Sequence, residues 1–91
     1  MTTLLLTHPA CLEHDTGYGH PERADRLRAI DEALAAPVFK PLMREQAPLA
    51  DLAAIERLHP KAYVEMVRAS IPKQDHNWLD PDTVVSPGSW E

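Results

Sequence analysis

Four nitrogen and sulfur groups, His8, Cys11, His14 and His20, fall within thirteen residues near the start of the chain. Zinc accepts both histidine and cysteine, and ligands separated by a few residues are common. A closed tetrahedral site, however, usually draws paired ligands from two separated elements. The expected reading is therefore a loop whose histidines hydrogen-bond locally and whose cysteine packs as a small apolar group. A metal site at His8, Cys11 and His14 is the competing reading.

The second constellation is Gly17-Tyr18-Gly19-His20-Pro21-Glu22-Arg23. Glycines supply backbone angles with positive φ and let a loop pass close to a neighbour. His20 precedes what reads as a helix start, and Glu22 lies where a helix dipole favours an anion. Arg23 is free to reach toward a carboxylate. The residues alone describe a dipole-compensated helix start, which is also a good place to build the rim of a pocket. The third constellation, Asp80-Pro81-Asp82-Thr83, offers two acids two residues apart. One pair falls short of the several oxygen ligands calcium takes, so turns closed by the aspartate side chains are expected. No nucleophile with an adjacent base and no phosphate-cradling glycine loop is recognisable.

The elements that would position these groups follow from patterning. Leu4-Leu5-Leu6, a short apolar run ended by His8-Pro9, suits a strand buried on both faces of a parallel sheet. Residues 8–20 read as a loop, a length often found where loops are functional. Pro21 suits the first position of a helix running to about Ala36, with Ala24, Leu27, Ile30, Ala33 and Leu34 inward and Pro37 ending it. Glu22–Arg26 and Arg28–Glu32 are spaced as pairs on its exposed side. Val38 to Gln46 is a second strand, starting at Leu42 or lying at an edge because of Pro41. Asp51 to Leu58 reads as a short helix with Leu52, Ile55 and Leu58 inward. A third helix follows Pro60, with Tyr63, Val64, Val67 and Ile71 on one side. Residues from Lys73 on lack periodicity, and Ser86-Pro87 reads as the start of another helix. About two strands and three helices make this the beginning of an α/β sandwich.

The 91 residues suffice for one small domain, and the sequence has an ordinary globular composition, 44% hydrophobic and 25% charged. A net charge of −5 with scattered basic residues argues against a nucleic-acid surface. The apolar N-terminal run is too brief for a membrane span and lacks the basic flank of a leader peptide. With Cys11 as the single cysteine no internal disulfide can form, and the cytoplasm is the expected compartment.

Four stretches, in order, resemble the N-terminal portion of the histone deacetylase and acetylpolyamine amidohydrolase superfamily, especially its class II-like bacterial members. They are His8-Pro9-Ala10-Cys11-Leu12-Glu13-His14-Asp15, Gly19 to Leu27, Leu58-His59-Pro60-Lys61-Ala62-Tyr63-Val64, and Asp80 to Glu91. The resemblance implies an arginase-like three-layer α/β sandwich around a mostly parallel sheet, of which 1–91 would be a single partial domain. It implies zinc-assisted hydrolysis of acetyl-lysine or acetylpolyamine-type amides. It places His20, Pro21, Glu22 and Arg23 at the rim of the substrate channel, with the region after Trp78 as a second rim loop. The family's zinc ligands, two aspartates and a histidine, and its histidine pair and tyrosine have no counterpart among these residues. No catalytic residue is therefore assigned, and no zinc is expected on this chain by itself. Exposed apolar surface and self-association through an open sheet edge are further expectations. The alternative is a stand-alone binding or structural module.

Overall fold

The computed structural model describes all residues, 1–91. Strand β1 spans Leu4–Thr7 and is followed by a 3-10 turn, Pro9–Glu13. Helix α1 covers Ala24–Leu34, a second 3-10 turn covers Pro37–Phe39, and strand β2 covers Met43–Gln46. Helices α2 (Leu52–Glu56) and α3 (Lys61–Ser70) come next. Strands β3 (Asn77–Asp80) and β4 (Thr83–Val85) end the chain's regular structure. The protein is thus a small mixed α/β unit with three helices and a short parallel strand pair.

β1 and β2 pair in parallel, Leu4 opposite Met43 and Thr7 opposite Gln46. The ladder extends one residue each way, through Met43 N–H to Thr3 C=O (2.9 Å) and Ala47 N–H to Thr7 C=O (2.8 Å). The connection between them carries α1, the crossover that parallel strands require. Arg44 Nη2 donates to the Leu34 carbonyl, tying β2 to the end of α1, where free carbonyls await a donor. The expected burial on both faces is not met. Leu4 is 49% and Leu6 51% exposed and only Leu5 is half-buried, because a two-strand sheet has too few neighbours to bury its faces.

Helix α1 starts at Ala24, not Pro21. Both backbone groups of Glu22 are already committed to the loop: its N–H to His20 Nδ1 (3.0 Å) and its carbonyl to the Thr16 hydroxyl. Arg23 is extended, with φ −155°. Glu22 still pairs with Arg26 (3.1 Å), but Arg28 turns to Asp25 (2.6 Å), one turn back, rather than to Glu32. Ala24, Leu27 and Leu34 are half-buried, whereas Ile30 is exposed. Asp51 caps α2 by accepting the Ala53 N–H (3.2 Å). Of the inward set expected there, only Ile55 is half-buried, and Leu58, beyond the helix end, is 88% exposed. Pro60 is the cap of α3 rather than its first residue, and Val64 is that helix's buried position while Tyr63 stays exposed.

The C-terminal segment departs most from expectation. Residues 77–85 form an antiparallel hairpin, Asn77 opposite Val85 and Trp78 opposite Val84. Ser86 caps no helix; the Ser89 N–H returns to the Ser86 carbonyl (3.0 Å) in a turn. Two β-branched residues, Val84 and Val85, favour the strand. The Asp80 carboxylate closes the turn by accepting the N–H groups of Asp82 and Thr83, both at 2.8 Å. Asn77 Nδ2 donates to the Ser70 carbonyl (2.9 Å) and docks the hairpin on α3. Val64, Val84 and Val85, with Thr16 and Ser86, are the five buried residues. The only compact part of the protein lies where the 8–20 loop, α3 and the hairpin meet.

Candidate functional site

The 8–20 loop and the C-terminal hairpin lie 60 to 75 residues apart in sequence and are joined by a chain of hydrogen bonds. At one end the Ser86 hydroxyl, on a residue 2% exposed, accepts the Asp15 N–H at 3.0 Å. His14 Nδ1 lies 2.6 Å from Ser89 Oγ, which itself accepts the Ser86 N–H at 2.8 Å. The same oxygen lies 3.2 Å from the Ser86 hydroxyl, so the two serines and His14 form one hydrogen-bonded cluster. Gly88 passes so close to Glu13 that an added Cβ would sit 2.5 Å from the Glu13 carbonyl oxygen. Only glycine fits there.

In the middle, His76 Nε2 lies 3.1 Å from Asp15 Oδ2, while Asp15 Oδ1 accepts the Gly17 N–H at 2.9 Å. The Gly17 N–H first, and then the His76 ring, hold the Asp15 carboxyl below the ordinary aspartate range. The carboxylate is therefore ionised near neutrality, and the His76 nitrogen facing it carries a proton. At the far end His20 Nδ1 accepts the Glu22 N–H, so its proton sits on Nε2. Nε2 points at the Asp82 carbonyl (3.0 Å) and lies 3.4 Å from the Asp82 carboxylate. The Asp80 carboxyl is also lowered, by the Asp82 N–H first and then the bond from Thr83.

These contacts leave a shallow groove of about 530 Å³ between loop and hairpin, bordered by Tyr18, His20, Pro21, His76, Trp78 and Pro81. Gly17 and Gly19 take positive φ angles of 94° and 82° on either side of Tyr18. That turn lifts the tyrosine clear of the protein, and its side chain is fully exposed. Trp78 is 59% exposed on the facing strand. Two exposed aromatic side chains, with His76 beside the Trp78 ring at 6.3 Å between centroids, can hold a flat or extended ligand while the imidazoles and turn carboxylates orient it by hydrogen bonds.

Of the residues singled out in the sequence, His20 and Pro21 border this groove. Glu22 and Arg23 do not: Glu22 faces Arg26, and Arg23 precedes α1 with its side chain exposed. The Asp80–Thr83 stretch meets the His20 loop directly, through Asp82. The competing metal set is not assembled. His8 Nδ1 accepts the Ala10 N–H (3.0 Å), Cys11 is exposed, and His14 is engaged with Ser89. No three His, Cys, Asp or Glu side chains converge on one point. Sequence reasoning missed His76, Ser86 and Ser89, whose partners lie too far along the chain for any spacing to reveal.

Two further hollows lie elsewhere. One, about 470 Å³, runs between Leu49, Leu52, Ile55 and Trp90, with Arg68 stacked 5.3 Å from the Trp90 ring centroid. The other, about 330 Å³, is lined by Leu6, Leu12 and Leu27 beside His8 and Cys11. No helix is long and apolar enough to cross a membrane. No protein-family model matches the sequence, and no curated protein matches it.

Proposed function

We propose that this chain is the N-terminal portion of a zinc-dependent deacetylase with an arginase-like α/β sandwich, acting on acetyl-lysine or acetylpolyamine-type amides. In this reading the chain contributes channel rim and no catalytic group, and the metal is held by residues outside the 91. The observation that carries the proposal is the union of the Gly17–Pro21 loop with the Trp78–Asp82 hairpin, made by His20 and Asp82. The motif resemblance makes both segments rim loops of one channel, and their contact supports that reading. The exposure of Leu4, Leu6 and all of β2 also supports it, because a parallel pair is stable only within a larger sheet.

The test is acetate release from acetyl-lysine peptides and acetylpolyamines by the protein that carries this chain. Turnover abolished by a chelator and restored by zinc is expected, with residues 1–91 alone inactive. His20→Ala in the active protein is expected to raise KM more than it lowers kcat, because a rim residue binds substrate without joining the chemistry. No turnover on any acetylated amine would overturn the proposal.

A further inference from the structure

Three imidazoles, His14, His20 and His76, hold one loop to one hairpin, and each meets a different chemistry. His76 faces an ionised carboxylate, so protonation adds an attraction to a hydrogen bond already present. His14 meets a hydroxyl, which can rotate to accept from a protonated ring as readily as it donates to a neutral one. His20 differs from both. Its Nδ1 is an acceptor for the Glu22 N–H, and a proton placed there sets two donors against each other. The carboxylate available in return, Asp82, is 94% exposed and 3.4 Å away, where solvent screens most of the gain.

We propose that the Gly17–Glu22 loop is a proton-responsive arm. Protonation of His20 removes the ring's hold on the Glu22 N–H and leaves the Pro21–Glu22 end held by the Thr16 hydroxyl alone, while the Asp15–His76 contact keeps its Gly17 end anchored to the hairpin. The groups that face His20 are few. From its own loop comes Glu22, whose carboxylate is engaged by Arg26. From the hairpin come Asp82, and Asp80 with its oxygen turned to the backbone of Asp82 and Thr83. His76 borders the same groove from the opposite side. None of these replaces the lost acceptor for the Glu22 N–H. The consequence is a change in the width of the groove beneath Tyr18 when His20 takes a second proton. The inference stands on the hydrogen-bond geometry and holds with or without the deacetylase reading.

Nuclear magnetic resonance of the full chain tests it by reading imidazole nitrogens and backbone amides in a titration from about pH 8 to about pH 5. At the alkaline end His20 is expected as the Nε2–H tautomer, with the Glu22 amide proton shifted downfield by its bond to Nδ1. On acidification the Glu22 shift should be lost together with His20 protonation, while the Gly17 amide keeps its bond to Asp15. His20→Asn replaces Nδ1 by a carbonyl oxygen that does not titrate, and its Glu22 amide should stay bonded at both ends of the range. His76→Gln should leave the Glu22 transition in place. A Glu22 amide indifferent to pH in the unaltered chain, or a transition that survives in His20→Asn, would overturn the proposal. The unaltered chain decides the first outcome even where a variant fails to fold.

Discussion

At the scale of single residues, the contacts that matter join loop to hairpin. Ser86→Ala leaves the Asp15 N–H without its partner in the most buried spot of the protein. A loss of about 1–3 kcal/mol in unfolding free energy is expected from urea titration. Gly88→Ala drives a methyl group into the Glu13 backbone, which is not free to yield. Overpacking of this kind costs about 1–3 kcal/mol, and the Ser89–His14 bond should fail with it. Asp15 and Asp80 contribute to stability in a pH-dependent way. Both carboxyls lie below the ordinary aspartate value of 3.8, so the folded state binds their protons more weakly than the unfolded chain does. Their contribution is present in full above that value and is lost as pH falls through the lower, folded one. Acid unfolding below about pH 4, displaced upward in Asp15→Asn, is the expected outcome of a circular-dichroism titration.

At the scale of elements, the hairpin is the part that most depends on its turn. Asp80 occupies two backbone N–H groups that the tight β3–β4 connection would otherwise leave unpaired. Asp80→Ala is therefore expected to unravel the hairpin and to expose Val84 and Val85. Increased quenching of Trp78 fluorescence by acrylamide, measured in a Trp90→Phe background, would report it. Helix α1 makes the contrary case. Its capping residue, Arg23, makes no side-chain cap bond, and the helix begins only after the loop has used both backbone groups of Glu22. Site and helix start compete for the same residue, and the site prevails because two hydrogen bonds hold Glu22 there against one lost helical carbonyl.

At the scale of the molecule, the surface is too large for the mass. A folded chain of 10.2 kDa is expected to expose about 5,300 Å², and this one exposes 7382 Å². Its radius of gyration is 15.7 Å where about 12 Å is usual for this length. The difference of about 2,000 Å² exceeds the ~800 Å² each partner gives to a standard interface. Met43, Leu4 and Leu6 on the parallel pair are among the side chains left open. Residues 1–91 in isolation are therefore expected to self-associate in sedimentation velocity and to bind a hydrophobic dye. Leu6→Lys, a charge set in an open strand, should restore the monomer.

A strand at Leu4–Leu6, a second strand ending at Gln46, the helix between them and the inward Val64, Val67 and Ile71 were legible from residue types alone, whereas the 3-10 turn at Pro37–Phe39 and the exposure of Tyr63 were not. Apolar runs, proline breaks and helical spacing act over a few residues, and nothing distant contradicts them there. The start of α1, the hairpin and the union of His14, Asp15 and His20 with residues 76–89 were not legible. Each depends on hydrogen bonds between groups far apart in sequence, and a pattern read along the chain carries no term for them. The Asp80 turn lies between the two cases, since its bonds are local but the strands it joins are held by α3. The sequence alone determined which chemistry the Gly17–Arg23 stretch could offer. Tertiary structure decided that its histidine faces Asp82 and that its tyrosine stands over a groove, because only packing against α3 brings the hairpin within reach.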